Sequence, residues 1–110
     1  VPLFKIKIMI EENQSFLNKI FSNSEQAYCN SKKEPFIHYG GRFAAKESIK
    51  KALLSSDKIK RISLKSINVT NNDIGVPCVE LINCKLLYKE LKVTISHAGE
   101  YAIAMAVIRF

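Results

Sequence analysis

The chain has 110 residues, a formal net charge of +7, and 47% hydrophobic against 25% charged residues. Those values fit one globular domain and exclude a disordered chain, and no apolar run reaches the roughly 18 residues that a membrane span needs. The three cysteines, Cys29, Cys78 and Cys84, are odd in number and lack CxxC spacing, which argues against a structural zinc or a disulfide framework and for a reducing compartment.

In chain order, Val1-Pro2-Leu3-Phe4-Lys5 lacks the layout of a signal peptide. Ile6, Ile8, Met9 and Ile10 predict a helix over 5–12. Asn13 or Ser15 is suited to cap a second helix carrying Phe16, Leu17, Ile20 and Phe21 on one face. A further turn begins near Ser24 and ends near Cys29, and the polar stretch 30–35 reads as a loop. His38-Tyr39-Gly40-Gly41 then leads into the main helix, which runs to about Leu54. Beyond it the period changes. Ile62-Ser63-Leu64 and Ile67-Asn68-Val69 alternate as strands do, and Asn71-Asn72-Asp73-Ile74-Gly75 is rich in turn formers. Residues 76–81 read as a returning strand, with Pro77 suited to its start. Residues 91–97 alternate cleanly, and Ala98-Gly99-Glu100 turns the chain into an apolar strand over 101–108, expected to be covered on both faces. Helices first and antiparallel strands later give an α+β fold in a single domain, 1–110, with no internal repeat.

The stretch GGRFAAKESIKKAL, Gly40 to Leu53, carries the densest pattern of charge. At about 100° per residue, Ala45, Ile49, Ala52 and Leu53 share a packing face. Glu47, Lys50, Lys51 and Phe43 lie opposite, flanked by Arg42 and Lys46, so one carboxylate stands among four cations. Two readings are open. Glu47 and Lys51 are i and i+4, a spacing that stabilises an exposed helix by a few tenths of a kcal/mol. Alternatively the carboxylate holds a hard divalent ion, and the cations bind phosphates around it; Mg²⁺ is typically bound by one or two carboxylates plus phosphate oxygens and water. Lys46 and Lys50 read as solvated or partner-facing, and His38 as structural. Ser96 and His97 are neighbours on a strand and point to opposite faces, which argues against a nucleophile–base pair.

The order of these parts resembles one known family. GRFAAKES followed by IKKAL, then Gly75-Val76-Pro77, Val93-Thr94-Ile95-Ser96-His97 and Glu100-Tyr101-Ala102 are similar to the motifs of the holo-acyl-carrier-protein synthases, the group I 4′-phosphopantetheinyl transferases. The upstream stretch through Phe16-Leu17, Ile20-Phe21, Ser24-Glu25 and Tyr28-Cys29 also matches, so the resemblance covers almost the whole chain. It implies transfer of the phosphopantetheine arm of coenzyme A to a serine of acyl carrier protein, for fatty acid biosynthesis, with release of adenosine 3′,5′-bisphosphate. It implies Mg²⁺ on Glu47, with Lys51 on the same phosphates. It places Arg42 on the nucleotide, His97 on the 3′-phosphate, and Gly75 and Pro77 beside the adenine. It also implies a homotrimer with active sites between subunits. A basic surface fits an acidic carrier protein, with Lys5, Lys7 and Lys19 as candidate contacts. The family's second metal ligand is an aspartate on a first strand of the form G-x-D-I; no such strand precedes Val1 in this sequence, and it is expected just ahead of it. The compartment implied is the cytoplasm or a plastid-type organelle such as the apicoplast. The rival function is a small basic nucleic-acid-binding module, although no RNP, KH or zinc-knuckle pattern is present and the aromatics are not clustered with the basic residues.

Overall fold

A computed structural model describes residues 1–110. Three short helices come first: α1 (Leu3–Glu12), α2 (Gln14–Ile20) and α3 (Asn23–Asn30). A long helix, α4 (Pro35–Ser55), follows, and then two separate antiparallel ribbons: β1 (Ile67–Asn71) with β2 (Pro77–Leu81), and β3 (Glu90–Ala98) with β4 (Tyr101–Arg109). The α+β order is as the sequence predicts, with two two-stranded ribbons in place of one small sheet.

Local chemistry sets the helix boundaries. Asn13 ends α1 in an extended conformation and starts α2, its Oδ1 accepting from the Phe16 amide at 3.2 Å. Ser22 and Glu25 form a reciprocal capping box on α3, each side chain accepting from the other's backbone N–H. Pro35 occupies the first turn of α4, where its missing N–H costs nothing.

Two apolar clusters meet on α4. Ala45, Ile49 and Leu53, the predicted packing face, join Ile62, Ile67, Val69 and Val93 against the ribbons. On the other flank, Tyr39 joins Ile6, Leu17, Phe21 and Cys29 of the first three helices. Burial pushes both the Cys29 thiol and the Tyr39 hydroxyl up to about 12.

Several expectations are corrected. The double glycine does not lead into α4 but lies inside it, where packing demands bare Cα atoms. A Cβ on Gly41 would stand 3.0 Å from Ile95 Cγ2 and 3.1 Å from His97 Nε2, and one on Gly40 would stand 2.3 Å from Leu3 Cδ2. Residues 62–64 form no strand: Ile62 and Ser63 are irregular, and Leu64–Ser66 is a 3₁₀ turn. The carbonyls of Leu64 and Ile67 both accept from Lys46 Nζ, at 2.9 and 2.8 Å, which draws that backbone inward to the helix. Finally, β4 is covered on one face only. Ala102, Ala104, Ala106 and Ile108 face α4, while Tyr101, Ile103, Met105 and Val107 are 53–67% exposed. The small inward residues let helix and ribbon approach closely, and the large outward ones have no cover within one chain.

Candidate active site

Arg42 is the centre of the site. It was expected beside an exposed charged face, yet only 4% of it is exposed. Its guanidinium lies over the ring of Tyr28 from α3, 4.0 Å from the centroid, and Nη2 donates to Oδ1 of Asn71 at the end of β1. Nε is buried and has no partner. A buried N–H without an acceptor costs about 1–3 kcal/mol, so this atom is poised to gain from an incoming acceptor.

Asn71 also donates through Nδ2 to the carbonyl of Gly75 at 2.9 Å. One amide thereby ties Arg42 to the β1–β2 turn. Gly75 adopts φ +87, in the left-handed region, and open space surrounds it. Pro77 pairs opposite Asn71 in the ribbon, so the predicted Gly75-Val76-Pro77 wall does stand beside the arginine.

His97 reaches back from β3 to the first turns of α4. Its Nε2 donates to the Ile37 carbonyl at 3.0 Å, and the bare Cα of Gly41 leaves it the room. The carbonyl can only accept, so Nε2 carries the proton and Nδ1 is left for a ligand.

Glu47 and Lys51 stand on a different flank, about 140° round the helix from Arg42 for Glu47. Phe43, Glu47 and Lys51 make a stripe that runs from packed to wet. Phe43 meets Phe16 of α2 with ring centroids 6.2 Å apart, Glu47 is half-buried, and Lys51 is exposed. No ion pair joins Glu47 to Lys51, and no side chain satisfies the carboxylate. The helix-stabilising reading of this pair is therefore not what the structure shows. A free, half-buried carboxylate fits an ion held by one protein ligand plus phosphate oxygens. No group of three or more His, Cys, Asp or Glu side chains forms a ready-made metal cage.

Lys46 is the clearest departure from the sequence reading. The sequence reads it as solvated or partner-facing, and it is fully buried, with Nζ 2.7 Å from Oε1 of the equally buried Glu25. Burial pulls its pKa down, and Glu25 pulls it back toward the usual lysine value without restoring it. Glu25 Oε2 accepts from the Val69 amide at 2.8 Å, so the pair joins α3, α4 and β1 behind the site. Sequence reasoning missed this pair, and it also missed Asn71 and the Tyr28 platform as parts of the site. Asn71 reads as an ordinary turn former, and nothing in linear spacing brings Tyr28 to Arg42.

The largest hollow, about 730 Å³, lies elsewhere, beyond the C-terminal end of α4, and is lined by Lys58, Arg61, Cys84 and Lys85 among others. It contains none of these site residues.

Comparison with known proteins decides the family. The model of the 4′-phosphopantetheinyl transferase superfamily matches residues 2–106. The chain belongs to that superfamily. A holo-[acyl-carrier-protein] synthase of Thermodesulfovibrio yellowstonii is 39% identical over 109 residues, covering 98% of this chain and 91% of that relative. The Helicobacter pylori holo-[acyl-carrier-protein] synthase in complex with coenzyme A is 28% identical with a TM-score of 0.79, over 98% of this chain and 94% of that one. The Bacillus anthracis synthase in complex with CoA (3′,5′-ADP) is 26% identical with a TM-score of 0.75, over 98% and 89%. None of these supports the nucleic-acid-binding alternative. No helix in the chain is long and apolar enough to cross a membrane.

Proposed function

We propose that this chain transfers the 4′-phosphopantetheine arm of coenzyme A to a serine of apo-acyl carrier protein and releases adenosine 3′,5′-bisphosphate. The observation that carries the reading is the buried Arg42 with its unpartnered Nε, set between the Gly75–Pro77 turn and His97. The serine oxygen forms a bond to the phosphorus bearing pantetheine. The bond from that phosphorus to the bridging oxygen breaks, and the bisphosphate leaves with the electron pair, while the serine proton passes to solvent or base.

Arg42 and His97 bind the phosphorylated ribose, and Gly75 and Pro77 border the adenine. Lys51 offers a flexible cation to the pyrophosphate. Glu47 is the residue that would hold Mg²⁺, which when bound stabilises charge on phosphate oxygens as the bridge breaks. The exposed β4 face of Tyr101, Ile103, Met105 and Val107 supports a homotrimer that covers it. Lys5, Lys7 and Lys19 are all exposed on α1 and α2, where an acidic carrier could meet them.

The test is mass spectrometry of apo-acyl carrier protein incubated with this protein, coenzyme A and Mg²⁺. One phosphopantetheine added to one serine is the expected result. No mass change with several different carriers would overturn the reading.

A further inference from the structure

The nucleotide end of α4 holds one more titratable side chain, His38, which the sequence reading set aside as structural. It lies one helical turn before Arg42, so the two share a stripe of the helix. Both meet Tyr28. Arg42 covers the ring, and His38 stands edge-on to it with centroids 5.8 Å apart and planes at 81°. Lys32, in the turn after α3, places its ammonium 4.7 Å from the same ring. One aromatic ring thus gathers two permanent cations and an imidazole.

We propose that His38 is a further binding residue of the phosphate site, taking up a proton when a phosphate dianion docks on Arg42 and His97. The inference rests on the nucleotide reading above and deepens it.

The groups facing His38 are Tyr28 from α3, Lys32 from the turn after it, Glu34 and Arg42 from α4 and its cap, and His97 from β3. In the free protein His38 is held below its ordinary value of 6.5, by burial first and then by Lys32, Arg42 and His97, with Glu34 pulling weakly the other way. Without ligand, then, its surroundings favour the neutral form. A dianion placed among those cations cancels their repulsion and reverses the preference. His97 already spends its Nε2–H on the Ile37 carbonyl. Arg42 offers its buried, unpartnered Nε, while one N–H of Nη2 is engaged with Asn71. A protonated His38 adds an N–H donor and a positive charge beside them.

The chain has only two histidines, so proton NMR of their imidazoles reads both directly, with His97→Gln for assignment. The wild-type protein is titrated with pH, with and without saturating adenosine 3′,5′-bisphosphate, and calorimetry gives the affinity at each pH. The expected result is a His38 midpoint that rises by about one unit in the complex. By linkage that equals roughly tenfold tighter binding on the acid side of both midpoints than on the alkaline side. His38→Gln should remove that part of the pH dependence and leave the part due to the ligand's own phosphate ionisation. A His38 midpoint unchanged in a complex that calorimetry shows to be saturated overturns the inference and leaves the nucleotide site standing. No binding of the bisphosphate at any pH overturns the nucleotide reading itself, and this inference with it. The NMR measurement needs no substitution at His38, so a poorly folded variant does not decide the matter.

Discussion

Lys46→Met keeps most of the side chain's length and removes only the ammonium. Three partners lose it together: Oε1 of Glu25 at 2.7 Å, and the carbonyls of Leu64 and Ile67 at 2.9 and 2.8 Å. Glu25 would remain as a carboxylate with no exposed surface, holding only the amides of Ser22 and Val69. Breaking a buried pair from one side costs about 3–5 kcal/mol, because the surviving charge stays desolvated and uncompensated. A domain of this size is stable by about 5–15 kcal/mol in total, so the loss is a large share of it. In thermal unfolding it corresponds to a fall on the order of 20 °C. Urea denaturation followed by circular dichroism, at fixed protein concentration, measures it. The double variant Glu25→Leu/Lys46→Met should recover only part of the loss, since the Ser22 and Val69 amides and the Ile67 carbonyl lose their side-chain partners, while the Leu64 carbonyl keeps the Ile67 amide. A loss below about 1 kcal/mol for Lys46→Met, the range of an exposed ion pair, would refute the buried network.

Alkali should weaken the fold. Cys29 goes from 9.0 to about 12 and Tyr39 from 10.0 to about 12 on burial, so the folded chain holds these protons more tightly than the unfolded one. Stability from both groups is complete below about pH 9 and drains away as pH rises toward about 12; unfolding free energies at pH 8 and 10 should differ by about 2 kcal/mol, and Cys29→Ala should shrink the difference. Gly41→Ala presses a methyl against Ile95 and His97; the overpacking cost of about 1–3 kcal/mol exceeds the helix gain of about 1 kcal/mol, and displaced His97 should lower bisphosphate affinity about tenfold by calorimetry. Unchanged stability and affinity would mean the helix simply shifts. Met105→Glu places a charge in the middle of the uncovered β4 face and should break the proposed homotrimer into monomers by sedimentation, a result that an unaltered oligomer would contradict. Glu47→Gln should leave the circular dichroism spectrum unchanged, because no side chain holds Glu47, and should slow turnover about a hundredfold or more. Activity close to wild type would remove Glu47 from the metal site.

The sequence by itself determined the elements whose signals are local. Asn13 marks a helix start, strict alternation marks β3, and apolar residues at helical spacing mark the α4 face of Ala45, Ile49 and Leu53, whereas the starts of α3 at Ser22 and of α4 at Pro35 lie ahead of where the sequence places them. The family too was legible, because RFAAKE and the distant Ile95-Ser96-His97 occur together at a characteristic separation. Tertiary structure decided what depends on neighbours far away in the chain. Helical angle treats Arg42, Lys46, Lys50 and Lys51 as one ring of cations around Glu47, but a helix wheel knows nothing of what stands opposite. Glu25 takes Lys46 into the core, and Tyr28 with Asn71 takes Arg42, so the ring comes apart into a buried strut and a buried guanidinium with an unpartnered Nε. The paired glycines read as the lead-in to the main helix and prove to be the place inside it where α4 presses on Leu3, Ile95 and His97. An unbroken apolar run in β4 promised two covered faces, and one chain supplies only one, because burial is a property of the partner surface and not of the strand.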